Sequence, residues 1–214
     1  MYWDTAFVFD TYIRSMLSEI EAAKESADRY ARSLEQWVAE RTRELEELSR
    51  HDALTGVLNW HAFPEALRKE IARAKRASTP LAVLYIDIDD FKAINDAQGH
   101  QRGDEVLRLI SRSLRESSRE IDIVARLGGD EFCVALPGVD VEGANAYRNR
   151  FINTLAACCE GVAVSIGITI AGPEAYPEPE AIISAADSKM YGEKSLHHKR
   201  EATQTQGQCA AVNS

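Results

Sequence analysis

Residues 126–132 read Arg-Leu-Gly-Gly-Asp-Glu-Phe, with two adjacent glycines between the strand-like runs Ile123–Leu127 and Glu131–Leu136. That pattern predicts a β-hairpin with a tight turn. Glycine at the turn lets the backbone lie against a ligand where a Cβ would obstruct it. Two carboxylates, Asp130 and Glu131, follow at once. Strand alternation sends neighbouring side chains to opposite faces, so one carboxylate is expected to face a metal and the other to face elsewhere.

A second group of chemically able residues lies between positions 81 and 104. The apolar run Leu81–Ile86 predicts a buried strand, and it ends in Asp87-Ile88-Asp89-Asp90. A carboxylate at the end of a buried strand costs stability unless it is paired or binds a cation. Residues 91–96, Phe-Lys-Ala-Ile-Asn-Asp, form a predicted short helix. Residues 99–104 read as a loop that places Asp104 as the N-cap of the next helix. Acid cluster, lysine and Asn/Asp pair together suggest a site for a metal-bound phosphorylated ligand, because Mg²⁺ prefers carboxylates plus phosphate oxygens.

The elements that must position these groups follow from periodicity. The expected order is helix 60–77, strand 81–88, helix 91–96, helix 104–118, strands 122–127 and 131–137, helix 141–157, strand 162–171 and helix 179–195. Helix 104–118 is amphipathic through Val106, Leu107, Ile110 and Leu114, and helix 141–157 through Ala144, Tyr147, Phe151 and Leu155. The expected fold is an α/β (α+β) sandwich with a mainly antiparallel central sheet flanked by helices and a long helix in front. Residues 1–50 form that front helix, 51–200 the folded domain, and the polar segment 201–214 a disordered tail. From Ile13 to Leu48 there is neither glycine nor proline, and apolar residues recur at Ile13, Met16, Ile20, Ala23, Ala27, Tyr30, Leu34 and Trp37. These steps of three and four predict a parallel two-stranded coiled coil and hence a homodimer. A second register, Leu34, Val38, Arg41, Leu45 and Leu48, is offset as by a stutter.

The chain of 214 residues has 45% hydrophobic and 28% charged residues, values expected of a soluble globular protein. A net charge of −9 argues against a nucleic-acid-binding surface. No apolar run reaches the ~18 residues of a membrane span. Asp4 and Asp10 argue against a signal peptide. Cys133, Cys158, Cys159 and Cys209 show no metal-ligand spacing, so reduced thiols and a cytoplasmic location are expected.

Five ordered segments resemble the GGDEF family of diguanylate cyclases: Asp52-Ala-Leu-Thr-Gly-Val-Leu-Asn59, Asp87-Ile-Asp-Asp-Phe-Lys-Ala-Ile-Asn-Asp96, Gly99-His-Gln-Arg-Gly-Asp104, Arg126-Leu-Gly-Gly-Asp-Glu-Phe132 and Val164-Ser-Ile-Gly167. Several spaced motifs in order are far more specific than one. The resemblance implies a fold similar to nucleotidyl cyclase and polymerase palm domains. It also implies condensation of two GTP into cyclic di-GMP and two pyrophosphates, with Mg²⁺ (or Mn²⁺) as cofactor. Asp87, Asp130 and the Ile88 carbonyl fall at the family's metal positions, Glu131 at the next signature position in catalytic support, and Gly128 and Gly129 against the nucleotide. Asn95 and Asp104 fall at the guanine-reading pair, and a carboxylate there favours GTP over ATP. Phe91, Lys92 and Lys194 fall at substrate contacts, the two lysines at phosphate. Arg119 and Asp122 form an Arg-x-x-Asp motif whose Asp122 stands six positions before Gly128, as in the family's product-inhibition site.

One domain of this family holds one GTP, so the dimer is required, and the coiled coil raises the effective concentration. The helix itself looks like a linker from an upstream sensor absent from this chain. Residues 4–13 resemble the last helix of a sensor globin. The chain departs from the family at Glu193-Lys-Ser-Leu-His-His-Lys199, where alanine usually precedes the lysine. His198 stands where a phosphate-binding arginine is expected, with Lys199 or Arg200 as substitutes. Trp60-His61 replaces two arginines. The competing reading is a catalytically weak domain acting as a cyclic di-GMP or GTP receptor.

Overall fold

The computed structural model describes residues 5–48 and 50–212; the side chains of residues 1–11, 15, 22, 39, 43–49 and 196–214 lie outside that description. The chain divides into two compact units, residues 1–49 and 50–214. The first unit is one helix, α1 (Thr5–Leu48). Its predicted seam residues Ile13, Met16, Ile20, Tyr30, Leu34, Trp37 and Val38 are all solvent-exposed. The side chains of residues 4–11, and of Leu45 and Leu48, fall outside the described set.

The second unit runs α2 (Ala62–Ala77), β1 (Leu81–Ile88), α3 (Phe91–Gln98), α4 (His100–Ser117), β2 (Ile123–Gly128), β3 (Glu131–Pro137), α5 (Val141–Cys158), β4 (Val164–Ala171) and α6 (Pro179–Val212). The strands form one antiparallel sheet in the order β2-β3-β1-β4. Every residue of β1 is buried, as expected for a central strand with both faces covered. Its alternation divides the core in two. Ala82, Leu84, Ile86 and Ile88 pack with Val106, Ile110 and Leu114 of α4 and Tyr147, Phe151 and Leu155 of α5. Leu81, Val83 and Tyr85 pack with Phe63, Leu67 and Ile71 of α2 and Ile182, Ala186 and Met190 of α6. Burying each such side chain stabilises the fold by roughly 1.5–3 kcal/mol. Those contacts fix the end of β1, where Asp87 follows the α6-facing set.

Two expectations are corrected. Residues 99–104 are not a loop. Gly99, with φ of 82°, separates α3 from α4, and α4 starts at His100 with no side-chain cap. Asp104 therefore lies within the first turns of α4 and is not an N-cap. The second correction concerns the C-terminus: α6 continues as helix beyond residue 200, to Val212.

The edge strand β4 is closed by α6. Lys189 Nζ donates to the Ile168 carbonyl at 2.8 Å, and the Ile166 N–H donates to Glu193 Oε2 at 3.0 Å. Unpaired edge groups are thereby satisfied by side chains four residues apart on one helix face. The helix can lie so close because of Gly167, where a Cβ would stand 2.0 Å from the Ala186 carbonyl oxygen and 2.3 Å from the Met190 nitrogen. Both obstructions are backbone and cannot rotate away. Gly167→Ala is expected to lower unfolding stability in urea by about 2 kcal/mol or more, the cost of overpacking a rigid contact. A midpoint equal to the parent's would refute this reading.

Candidate functional site

The hairpin joining β2 and β3 is tight. Gly128 pairs with Glu131, leaving Gly129 and Asp130 as the loop, and a register shift between Arg126 and Gly128 bends the strand. Gly129 has φ of 43°, a conformation that suits glycine. Arg126 holds the turn from beneath. It donates to the Gly129 carbonyl through Nη2 at 2.6 Å and Nε at 3.1 Å, and through Nη1 to Asp52 at 3.2 Å. Asp52 also accepts from the Thr55 N–H at 2.8 Å and the Thr55 hydroxyl at 2.5 Å. Burial pushes the Asp52 carboxyl up, but the Thr55 hydrogen bonds and then the Arg126 charge outweigh it and hold it below its ordinary value. The anchor role of Asp52 and Arg126 was missed in the sequence. Both stand inside quoted motifs, but the 74 residues between them hide the contact.

β1 and β3 bring the carboxylates together. Asp87 lies directly across from Glu131, so the two share a sheet face. Asp130 sits in the turn rather than in the strand. Strand alternation therefore does not set its direction relative to Glu131. Burial first, and then the Asp87 charge, raise the Asp130 carboxyl above its ordinary value. Burial also raises Glu131, as do Asp87, Asp130 and Asp187, while a hydrogen bond from Tyr85 partly offsets them. The Ile88 N–H donates to the Asp130 carbonyl at 3.3 Å, which fixes the hairpin tip against the end of β1.

Asp87 is 8% exposed, and its counter-charge is Lys194 of α6, with Nζ 2.5 Å from Oδ1. Lys194 is held protonated above its ordinary value; burial opposes this, and the Asp87 hydrogen bond with the charges of Asp87, Asp89 and Asp130 outweighs it. Asp89 is held by the Ser165 hydroxyl at 2.7 Å, and its N–H by the Ala163 carbonyl at 3.0 Å. Asp90 then turns into α3 with φ of 54°. Such left-handed geometry at a non-glycine residue costs about 1 kcal/mol or more and is a mark of functional sites.

The Asn95 and Asp104 pair is also assembled. Gly103 lies flat beneath α3: a Cβ there would stand 2.1 Å from Asn95 Oδ1 and 3.2 Å from the Phe91 ring. Asn95, Phe91 and Asp104 are half-buried around this crossing, and Lys92 is exposed on α3. Trp60 and His61 stack with ring centroids 3.5 Å apart; nothing in the structure explains why they replace arginines. The side chains of His198, Lys199 and Arg200 fall outside the described set.

On the other flank, a cavity of about 420 Å³ is lined by His51, Arg115, Arg119 and Asp122 among others. Asp122 Oδ2 accepts from the Arg119 N–H at 2.7 Å, whereas its Oδ1 is buried without a hydrogen-bond partner. Arg119 is exposed at the mouth.

Donor chemistry at the hairpin suits a hard divalent cation. Asp87 already draws an ammonium, and three carboxylates repel one another there. Among the described residues no group of three or more His, Cys, Asp or Glu forms a ready metal cage. Asp87, Asp130 and the Ile88 carbonyl could hold a divalent cation with water or phosphate oxygens completing the shell.

Comparison with known proteins agrees with this geometry. The family model "Diguanylate cyclase, GGDEF domain" matches residues 49–200, and the chain belongs to that family. It is 42% identical over 156 residues to diguanylate cyclase DosC of Escherichia coli K12, covering 68% of this chain and 34% of that protein. It is 37% identical over 187 residues to diguanylate cyclase TpbB of Pseudomonas aeruginosa, covering 82% of this chain and 42% of that one. The chain therefore spans well under half the length of these relatives. The GGDEF domain of DgcB from Caulobacter crescentus, solved in complex with c-di-GMP, superposes with a TM-score of 0.64 at 25% identity, covering 69% of this chain and 89% of that one. No described helix is long and apolar enough to cross a membrane.

The raised carboxyls set a pH signature. A carboxyl whose folded-state affinity for protons exceeds its unfolded one lowers stability as pH rises from its ordinary value, 3.8 for Asp130, through the folded value. Without divalent metal, Asp130→Asn is expected to raise the melting temperature by a few degrees at pH 7.5, with the gain vanishing near pH 4. Melting curves of both proteins with EDTA across that range check this; a gain independent of pH would count against it.

Proposed function

We propose that this domain is a diguanylate cyclase that condenses two GTP molecules into cyclic di-GMP and releases two pyrophosphates. The observation that carries the reading is the convergence of Asp87, Asp130 and Glu131 at a glycine hairpin, with Lys194 set against them. Family membership and the catalogued activity of DosC and TpbB support it. Each 3′-hydroxyl attacks the α-phosphate of the other nucleotide, forming one phosphodiester bond as the bond to pyrophosphate breaks. Such transfers need alignment and charge neutralisation more than covalent help. A divalent ion at Asp87, Asp130 and the Ile88 carbonyl would supply charge neutralisation and a lowered hydroxyl pKa.

The chain's own residues do the rest. Asp104 and Asn95 read the guanine edge, since a carboxylate accepts from the ring N–H and the exocyclic amine that adenine lacks. Lys92 and Lys194 meet phosphate oxygens, and the Gly128–Gly129 turn admits the nucleotide against backbone. Glu131, held by Tyr85, supports the hydroxyl side. Two domains must face each other, so the exposed seam of α1 is assigned to a homodimer with a second copy. Free thiols and a GTP substrate fit a cytoplasmic location. Product would also bind the Arg119 and Asp122 cavity, where the unpartnered Asp122 Oδ1 awaits a donor such as guanine N–H and Arg119 grips phosphate.

Purified dimer, stripped of bound nucleotide, is expected to convert GTP with Mg²⁺ to cyclic di-GMP, identified by mass spectrometry, whereas Asp130→Ala should lose activity by at least about a thousandfold. No product from a confirmed dimer would favour a receptor role. In the same assay Arg119→Ala is expected to keep the initial rate and weaken inhibition by added cyclic di-GMP by about tenfold or more. Unchanged inhibition would remove that cavity from the reading.

A further inference from the structure

We infer that Glu193 and Arg148, neither of which touches the nucleotide site, form a clamp that sets where Lys194 stands, and are positioning residues for the phosphate-binding lysine. The inference rests on the cyclase reading above. Glu193 is a charged group in a half-buried position. Both of its oxygens are used. Oε2 accepts from the Ile166 N–H at 3.0 Å, and Oε1 accepts from Arg148. Arg148 belongs to α5, whose apolar face packs on the opposite side of the sheet from that of α6. The ion pair thus wraps the open edge of β4 and ties the two helical layers together. Its side chains are 31% and 22% exposed, so it is shielded more than a typical surface pair.

The register of β4 carries this anchor straight to the site. Ser165, next to the clamped Ile166, lies across from Asp87. Lys194, next to Glu193, reaches the same Asp87. Two adjacent residues of α6 therefore grip two adjacent strands, one by backbone and one by carboxylate. Without the clamp, the last anchor of α6 before Lys194 is Met190, buried in the core with its backbone against Gly167, about one helical turn away. The lysine would then be free to swing, because a four-carbon stem holds its ammonium in place only if its Cα is fixed.

Lys194 neutralises Asp87, and phosphate oxygens would draw it when nucleotide binds. Loosening it should weaken nucleotide binding while leaving Asp87 at least as open to a divalent ion. General destabilisation would instead weaken both. The test uses the full chain, stripped of nucleotide, with two probes: 3′-deoxy-GTP with Mg²⁺ by calorimetry, which binds but lacks the attacking hydroxyl, and Mn²⁺ alone by the loss of its free electron-spin signal. For Glu193→Ala and Arg148→Ala, the dissociation constant of 3′-deoxy-GTP is expected to rise about tenfold, the usual worth of a charge-assisted hydrogen bond. Mn²⁺ binding should hold or tighten. Glu193→Gln, which keeps an acceptor for the Ile166 N–H, should fall between. Glu193→Ala should add nothing further in a Lys194→Ala background. Parental affinity for 3′-deoxy-GTP in Glu193→Ala, or parallel loss of Mn²⁺ and nucleotide, would overturn the clamp alone. Failure of the parent to bind 3′-deoxy-GTP would overturn the nucleotide-site reading beneath it.

Discussion

Mutual repulsion of carboxylates at one end of the sheet is the constraint around which the rest of this domain is arranged. Asp87, Asp130 and Glu131 meet because β1 and β3 are antiparallel neighbours and the hairpin tip folds back on the end of β1. Such a cluster is unfavourable by itself; burial first, and then the neighbouring carboxylates, hold the Asp130 and Glu131 carboxyls above their ordinary values. The fold tolerates it because it is surrounded by apolar contacts that cannot rearrange and because Lys194 brings a counter-charge. Breaking that pair by removing the lysine leaves an uncompensated carboxylate, which is the costly direction for a buried ion pair. An excess of negative charge of this kind suits a divalent cation.

The hairpin and the two crossings beside it show how backbone proximity is obtained. Gly129 supplies the turn, Gly103 lets α4 slide under Asn95, and Gly167 lets α6 lie on β4. At the latter two positions a methyl group would meet side-chain or main-chain atoms at close to half of ordinary contact distance. Arg126 and Asp52 then lock the hairpin through six hydrogen bonds.

Much of this was legible in the chain. The continuous apolar run of β1 requires a central strand, and a carboxylate ending such a strand requires a partner. The hairpin follows from two glycines between β-forming runs. The seam of α1 follows from spacing. Other features were not legible for identifiable reasons. The polar, glycine-containing stretch 99–104 looks like a loop, but α4 begins at His100 because packing of Gly103 against Asn95 outweighs weak local propensity. The direction of Asp130 relative to Glu131 was not legible either, because alternation applies only within a strand and Asp130 lies in the turn before β3.

The sequence by itself determined most of the element types, the hairpin and the family. These are local properties: residue type, spacing and period act over a few residues and leave a readable trace. Tertiary structure alone decided that Asp87 faces Glu131 and Lys194, that Arg126 reaches Asp52, and that Glu193 caps Ile166 while holding Arg148. Each of these joins residues separated by 27 to 107 positions. Sheet order and helix placement, set by burying two apolar faces of one strand, are what bring them within hydrogen-bond reach.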